Sequence, residues 1–241
     1  MNIYSKTDIG KKRELNQDSF FTGKFDNGAV LAVVCDGMGG AKCGNVASEK
    51  AASIISDYIV KSYSPKMNST SIEKLLRAAV QSANLEVYEL SSSNEEYRGM
   101  GTTAVVALII DNLAHIVHVG DSRAYLITNS DIEQLTSDHS VVQAMINKGE
   151  ISALEAKNHP RKNIITRAIG AEETVLCDYS IVLKPESATI LICTDGLTNH
   201  IDEQSLYKII KTTPQEECAA ALINKANEDG GTDNITAVLI Y

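Results

Sequence analysis

Three acidic residues stand next to apolar runs that would hold them on rigid backbone. Each is separated from its run by at most one residue: Asp36 follows Ala29–Cys35, Asp195 follows Ala188–Thr194, and Asp233 precedes Ile235–Tyr241. Runs of β-branched and aliphatic residues are typical of buried strands. If the carboxylates converge, two unit charges about 4 Å apart repel by roughly 4 kcal/mol at an effective dielectric of about 20. Because oxygen ligands suit hard cations, this pattern indicates a divalent-cation site.

A glycine-rich segment follows the first of these runs. It reads Asp36-Gly37-Met38-Gly39-Gly40, with three glycines in five positions. Glycines permit the tight turn that would bring a backbone carbonyl to a metal beside Asp36. A plain Asp-Gly turn explains the same residues, so this segment alone leaves both interpretations open.

Two further polar segments have chemistry suited to phosphate or to a cation. Arg13 stands five residues before Asp18, and a guanidinium binds pairs of phosphate oxygens through its planar fork. A lone arginine is, however, usually a solvated surface residue. Asp121 lies in a Gly-Asp-Ser-Arg segment that fits an ordinary turn aspartate equally well. His139 and His200 have no partner at metal-ligand spacing, so we interpret both as structural or solvated residues.

The composition excludes several classes of function. A net charge of -9 disfavours a general nucleic-acid binder, because phosphate-backbone affinity depends on Lys and Arg. No apolar run approaches the roughly 20 residues that span a bilayer. The first residues are too polar for a signal peptide, so we expect no membrane association and a cytoplasmic location. The five cysteines form no C-x-x-C pair and no Cys-x5-Arg loop, which predicts reduced thiols and no thiol-phosphatase chemistry.

The chain alternates groups of strands with pairs of helices. Strands are predicted at Phe20–Phe25, Ala29–Cys35, Thr103–Ile110, Ala114–Val119, Ala124–Thr128, Ile181–Leu183, Ala188–Cys193 and Thr236–Tyr241. Helices are predicted at Gly44–Ser62, Thr70–Leu90, Asp202–Lys211 and Pro214–Asn227. This order favours antiparallel sheets covered by helices over a doubly wound parallel sheet.

The connections between these elements give three finer predictions. Thr70 and Glu73 have the spacing of a capping box at the start of the second helix. Asp111-Asn112 and Gly120-Asp121-Ser122 are predicted to be hairpin turns, which implies antiparallel neighbours. The polar residues Val141–Ile165 are predicted to form a short helix followed by an exposed, mobile segment.

The motifs occur in one specific order along the chain. They read R-x-x-N-Q-D, D-G-M-G-G, G-T-T, G-D-S-R, D-H-S, T-R-A-I-G, T-D-G and G-T-D-N. From Arg13 to Tyr241 this series resembles the metal-dependent serine/threonine protein phosphatases of the type-2C family, and in its compactness their bacterial members. The resemblance implies a single domain over residues 1–241 with an α+β fold. In that four-layer αββα sandwich, two antiparallel sheets are flanked by helices.

The resemblance also implies two Mn²⁺ or Mg²⁺ ions and the residues that hold them. Asp36 would bridge both cations, and the Gly37 carbonyl would bind one of them. Asp195 and Asp233 would hold the other cation. Asp18 would lie beside the pair and act through water.

The remaining implied roles concern a further cation and the substrate. Asp121 would help to hold a third, weaker cation, and Arg13 would grip the substrate phosphate. The segment Val141–Ile165 would be a flap beside the site. A water activated by the two cations would attack phosphorus directly, without a phosphoenzyme. The implied partners are phosphorylated proteins and a cognate Ser/Thr kinase, whose phosphorylation of those proteins the phosphatase would reverse.

Two departures from the family pattern, and two other functions, stay open at this point. Met38 stands where animal relatives carry a histidine regarded as the general acid, so the proton donor is unassigned. Ala41 stands where His is frequent among bacterial members. One alternative function is a pseudophosphatase that only binds phosphoproteins, although its metal carboxylates would usually be lost. The other is a small-molecule phosphomonoesterase, which would use the same cations.

Overall fold

The structure, a computed structural model, describes residues 1–39 and 43–241. Gly40 and Ala41, which the sequence singled out, lie outside these described residues. The strands are β1 (Ile3–Asp8), β2 (Asp18–Lys24), β3 (Val30–Met38), β4 (Gly101–Thr102), β5 (Ala104–Ile110), β6 (Leu113–Val119), β7 (Arg123–Ile127), β8 (Ile132–Gln134), β9 (Asp178–Leu183), β10 (Thr189–Cys193) and β11 (Ile235–Ile240). The helices are α1 (Gly44–Ser62), α2 (Ser69–Ser93), α3 (Val141–Asn147), α4 (Ala153–Lys157), α5 (Asp195–Thr198), α6 (Glu203–Thr212) and α7 (Gln215–Glu228), with a 3-10 turn at Glu95–Tyr97.

The strands form two antiparallel sheets. Sheet I has the order β1-β11-β10-β7-β8, and sheet II has the order β2-β3-β5-β6-β9, with β4 paired to β3. Strand β3 is apolar on both faces because both are covered. Val30, Ala32 and Val34 face the core between the sheets, whereas Leu31 and Val33 face helices. This explains why its sequence is a continuous apolar run and not an alternating one.

Helices cover the outer face of each sheet. The core under α1 and α2 packs on sheet II, and the core under α6 and α7 packs on sheet I. In α1, Ala47, Ala51, Ile55 and Ile59 recur every four residues and are fully buried. A third core joins the two sheets. The fold class predicted from the sequence, a four-layer αββα sandwich, is therefore confirmed.

One predicted turn is wrong in a way that matters for function. Asp111-Asn112 joins β5 to β6 as a hairpin, as predicted. Gly120-Asp121-Ser122, in contrast, is not a hairpin, because β6 belongs to sheet II and β7 to sheet I. Gly120 has a φ of 101°, a conformation that favours glycine at this crossing between the sheets. Asp121 is therefore carried by the link between the two sheets.

Smaller differences have local causes. The side chain of Asn68 accepts the Ser71 N–H and caps α2, so the predicted Thr70 capping box is not formed. Strands β1 and β8 were not predicted, because both are short edge strands with mixed polarity. Residues 141–165 contain two short helices, α3 and α4, where one was predicted. Among the described residues, no helix is both long enough and apolar enough to pass through a bilayer.

Candidate active site

A cleft of about 240 Å³ lies at the end of the sandwich where strand ends of both sheets meet. Six of the seven predicted site residues line it: Arg13, Asp36, Gly37, Asp121, Asp195 and Asp233. The seventh, Asp18, is buried, lies opposite Asp36 in the β2–β3 pair and is coupled electrostatically to Asp195 and Asp233. The structure thus brings together carboxylates that are up to about two hundred residues apart in sequence.

The backbone of Asp36 is fixed by the Gly-Thr-Thr motif. Its N–H donates to Thr103 Oγ1 at 3.0 Å, and its carbonyl accepts from the Thr103 N–H at 2.9 Å. The Thr102 hydroxyl donates to the same carbonyl at 2.9 Å. Thr103 Oγ1 also lies 2.8 Å from Ser122 Oγ. The motif therefore holds Asp36 in place and links it to the Asp121 turn.

Both Asp-Gly steps need their glycine for close packing. A Cβ on Gly37 would collide with the carbonyl of Gly44 at the start of α1. A Cβ on Gly196 would collide with the carbonyl of Asn234. In each case the missing side chain lets a neighbouring backbone approach the residue next to the aspartate. The repeated Asp-Gly pattern thus reflects two tight contacts around one cleft.

Asp18 joins the two sheets directly beneath the cleft. Its Oδ2 accepts hydrogen bonds from the hydroxyls of Thr194 and Thr236, at 2.9 and 2.7 Å, and both threonines belong to the sheet I side. Its Oδ1 is buried and has no hydrogen-bond partner among the described residues. A buried carboxylate oxygen without a partner is costly. A cation, or a water molecule bound to a cation, would give this oxygen the partner that it lacks.

Arg13 reaches the cleft from a loop that Asn234 anchors. Asn234 Oδ1 accepts the Gln17 N–H at 2.8 Å, and Asn234 Nδ2 donates to the carbonyls of Ile9 and Leu15. At the tip of this loop, Arg13 Nη2 donates to Asp233 Oδ2 at 2.7 Å. Asn234, which follows Asp233 in the motif, thus positions Arg13, and Arg13 contacts Asp233.

The electrostatics of the cleft are dominated by charges of one sign. Burial, assisted by neighbouring carboxylates, raises the pKa of Asp18 to about 7 and that of Asp121 to about 7. Burial and the surrounding carboxylates also raise the pKa of Asp36 well above its usual range, and that of Asp195. The hydrogen bond to Asp233 raises the pKa of Arg13. One arginine does not balance this group, so its oxygen-rich donor set fits hard divalent cations.

The carboxylates share the cleft without forming a tight trio. In the part of the chain that the structure describes, one trio of possible metal ligands places an atom of each within 4.8 Å of the others, and it consists of His118, His139 and Asp178. In the cleft, Asp233 is bonded to Arg13 instead.

Hydrogen bonds already occupy the His118–His139–Asp178 trio. His139 Nδ1 accepts the Gly120 N–H at 3.1 Å, and the His139 N–H donates to the Gly120 carbonyl at 2.9 Å. His139 Nε2 lies 3.2 Å from Asp178 Oδ2 and 3.0 Å from Arg167 Nη1. Arg167 Nη1 contacts the same pair, 2.8 Å from Asp178 Oδ1. This geometry matches the structural interpretation of His139 and makes the residue a clamp on the turn that carries Asp121.

Sequence reasoning missed four residues that line the cleft. Gln17 and Thr103 stand inside motifs that were recognised for other members, so a signal was present. Asn163 and Ile165 line the cleft from the end of the 141–165 segment, which the resemblance placed beside the site as a flap without indicating these two residues. This segment returns to the core where Val141 N–H donates to the Ile164 carbonyl at 2.9 Å.

Comparisons with known proteins agree with one another. The family model described as "Protein phosphatase 2C" matches residues 10–229. The serine/threonine phosphatase stp of Listeria monocytogenes is 41% identical over 100% of this chain and 95% of its own length. Protein phosphatase PhpP of Streptococcus pneumoniae is 37% identical over 100% of this chain and 97% of its own.

Solved structures give the same result. The S. agalactiae serine/threonine phosphatase has a TM-score of 0.92 and 33% identity, and the match covers 100% of this chain and 98% of that one. The catalytic domain of the serine threonine protein phosphatase PstP in complex with two manganese ions has a TM-score of 0.85 and 28% identity, with coverage of 99% and 96%.

Proposed function

The chain belongs to the protein phosphatase 2C family and is a serine/threonine protein phosphatase, and on this premise we propose which of its residues carry the hydrolysis. The observation that carries the proposal is the convergence of Asp36, Asp121, Asp195 and Asp233 on one cleft that also contains Arg13. A phosphate monoester brings further negative charge, so such a cleft works only when cations are present.

The cations are Mn²⁺ or Mg²⁺, the metals of this family, and we propose that they occupy the carboxylate cleft. Asp36 and the Gly37 carbonyl would hold one, and Asp195 and Asp233 would hold the other together with Asp36. When bound, the pair supplies Lewis-acid charge that activates water and offsets the charge of the phosphoryl oxygens. The partnerless Oδ1 of Asp18 supports a role for that residue beside the pair. Asp121, on the link between the sheets, would hold a weaker third cation.

Other residues of the chain orient the phosphate, hold Asp36 in place and close one side of the cleft. Arg13 orients the phosphate, because its fork has N–H groups beyond the one that contacts Asp233. Thr102 and Thr103 keep Asp36 from moving as charge develops, since three hydrogen bonds hold its backbone. The segment 141–165 acts as the flap, and Asn163 and Ile165 close that side of the cleft. Met38 lines the cleft but carries no proton to donate.

Three broader proposals concern the setting of the enzyme. We propose that residues 1–241 form one domain, because β1 and β11, from opposite ends of the chain, pair in the same sheet. We propose a cytoplasmic location, which is supported by five buried cysteines that are all free. A cognate Ser/Thr kinase of opposite action would supply the phosphoprotein substrates.

A direct test compares Asp195→Asn with Asp57→Asn. Asp57 is an exposed residue of α1 whose one ion pair among the described residues is with Lys61, so its variant controls for the loss of one carboxylate. We expect Asp195→Asn to lose Mn²⁺-dependent phosphopeptide hydrolysis by at least about 100-fold, and Asp57→Asn to keep it. Calorimetric titration should show weakened Mn²⁺ binding in Asp195→Asn alone. Full activity in Asp195→Asn would refute the assignment, and absence of Mn²⁺ uptake by the unmodified protein would favour the pseudophosphatase alternative.

A further inference from the structure

A second and larger groove lies next to the carboxylate cleft. Its volume is about 740 Å³, compared with about 240 Å³ for the cleft. Met38, the last residue of β3, lines both. The groove therefore adjoins the cleft in which we propose that the phosphate binds, and it is larger than that cleft.

The floor of this groove is held by the fold. Thr102 of β4 and Ile169 exchange two backbone hydrogen bonds of 3.0 and 2.8 Å. The buried side chain of Asn84 accepts the Gly170 N–H at 2.9 Å and donates to the carbonyls of Glu172 and Glu173. The strand β4 and the segment 168–171 are thus tied to each other and to α2. A ligand would meet a preformed surface, which lowers the entropic cost of binding.

One wall of the groove is polar and carries opposite charges, while Met38, Tyr88 and Met100 add apolar surface to its lining. Ser92 and Ser93, in the last turn of α2, are exposed, as are Glu95 and Arg98. Arg98 takes part in none of the ion pairs formed by the described residues. Hydroxyls and one charge of each sign can bind the amides and the polar side chains of a polypeptide. The apolar part of the lining can take an apolar side chain of the same polypeptide.

We propose that this groove holds the polypeptide on one side of the phosphorylated residue, so that the enzyme selects phosphoproteins over small phosphate monoesters. The inference rests on the proposed function, because the phosphorylated side chain must enter the carboxylate cleft. It assigns substrate selection to the end of α2 and to Arg98, on the Met38 side of the cleft. A small phosphate monoester leaves this groove empty and gains nothing from it.

The test blocks the groove without touching the cleft. Ser92→Trp fills it, and Ser62→Trp is the matched control, because Ser62 is an exposed serine in the last turn of α1. Arg98→Glu reverses the unpaired charge, and Lys208→Glu on α6 makes the same charge change on a helix that packs against the other sheet. Each variant is assayed with Mn²⁺ on p-nitrophenyl phosphate and on a phosphothreonine peptide with about five residues on either side.

We expect Ser92→Trp to lower kcat/KM for the peptide by about 10-fold and Arg98→Glu by about 3-fold, mainly through KM. Hydrolysis of p-nitrophenyl phosphate and both control variants should be unchanged. Peptides shortened on the side that occupies the groove should become insensitive to Ser92→Trp, which identifies that side.

Two results would overturn the inference while leaving the enzyme assignment intact. One is peptide hydrolysis that none of the variants alters. The other is an equal loss on both substrates, which would indicate damage to the cleft. If the unmodified protein hydrolyses neither substrate with Mn²⁺, the proposed function itself fails, and this outcome is distinguishable from the other two.

Discussion

Two neighbouring clusters of titratable side chains differ in how their charge is compensated. The cleft cluster consists of carboxylates, which repel one another when ionised. Burial raises the pKa of Asp18, Asp36 and Asp121. The neighbouring cluster of His118, His139 and Asp178 is joined by Arg167, so charges of both signs meet and bond. Only the first cluster leaves a buried oxygen, Oδ1 of Asp18, without a partner.

If the cations occupy the cleft, as we propose, closeness of ligand atoms is a poor guide to a metal site. The histidine trio has the tighter spacing, yet its atoms are committed to Gly120, to Ser137 and to each other. Among the described residues the cleft carboxylates form no trio as tight as this one, yet their charge is not balanced by neighbouring cations of the protein. Unbalanced charge, and not spacing, distinguishes a site that needs a cation from a cluster that stabilises a turn.

The largest expected effect separates the two clusters by mutation of one carboxylate in each. Asp36→Asn should lower Mn²⁺-dependent kcat on a phosphopeptide by about 1000-fold, because it removes the carboxylate shared between the cations. Asp178→Asn should lower it by about 3-fold at most, since Asp178 does not line the cleft and contacts His139 and Arg167 instead. Steady-state kinetics with matched circular dichroism spectra check both. Equal losses in the two variants would contradict the distinction.

Arg13→Ala should have the next largest effect, and it should act in two directions. Loss of the fork that orients phosphate should lower kcat/KM by about 30-fold. Loss of the competing 2.7 Å contact to Asp233 should strengthen Mn²⁺ binding by about 3-fold. Kinetics and calorimetric Mn²⁺ titration measure the two effects independently. Weakened Mn²⁺ binding would show that Arg13 supports the cation ligands and does not compete for them.

The pH dependence of stability should reverse when cations are supplied. Without metal, Asp18 and Asp121 have a folded-state pKa of about 7, above the unfolded value of 3.8. The folded state then binds more protons than the unfolded state between these values, so stability falls as pH rises through this window. In EDTA we expect Tm to drop by about 5 °C between pH 5 and pH 7.5.

With Mn²⁺ present, the deprotonated carboxylates are the form that binds, so the drop should disappear or change sign over the same window. Scanning calorimetry at several pH values gives both curves. A metal-free protein whose Tm rises over that window would mean that the carboxylates are better compensated than their burial suggests.

The smallest effect concerns the clamp on Gly120. His139→Ala removes the acceptor of the Gly120 N–H and should lower the free energy of unfolding by about 1–2 kcal/mol. His139→Asn keeps an acceptor near the Nδ1 position and should recover most of this loss. Chemical denaturation of both variants provides the comparison. If Asn rescues nothing, the ring contacts with His118 matter more than the hydrogen bond.

The fold and the carboxylates that line the cleft could be predicted from the sequence, because their signals are local. Strand β3 and helix α1 are recognisable from continuous apolar runs and from a four-residue period. Asp36 and Asp195 are recognisable because an Asp-Gly step follows a buried strand. The order of the motifs then connected these signals to a family.

Other features depend on contacts between distant parts of the chain and left no local trace. The Gly120–Ser122 turn resembles a hairpin in sequence, and only the assignment of its flanking strands to different sheets shows that it is a crossing. The partners of Asp18 come from Thr194 and Thr236, about 180 to 220 residues away. The tight trio around His139 combines residues with no common spacing.

The two threonine bonds to Asp18 make the catalytic end of the molecule sensitive to the alignment of its layers. Because β2 lies in one sheet and both hydroxyls belong to the other side, any slippage of the sandwich pulls directly on this carboxylate. If Asp18 acts beside the cations, as we propose, then changes in the inter-sheet core such as Val34→Ala or Ile190→Val should alter cation affinity without replacing a ligand. Substitutions in the hydrophobic core should therefore change the cation affinity of the enzyme while every active-site residue stays the same.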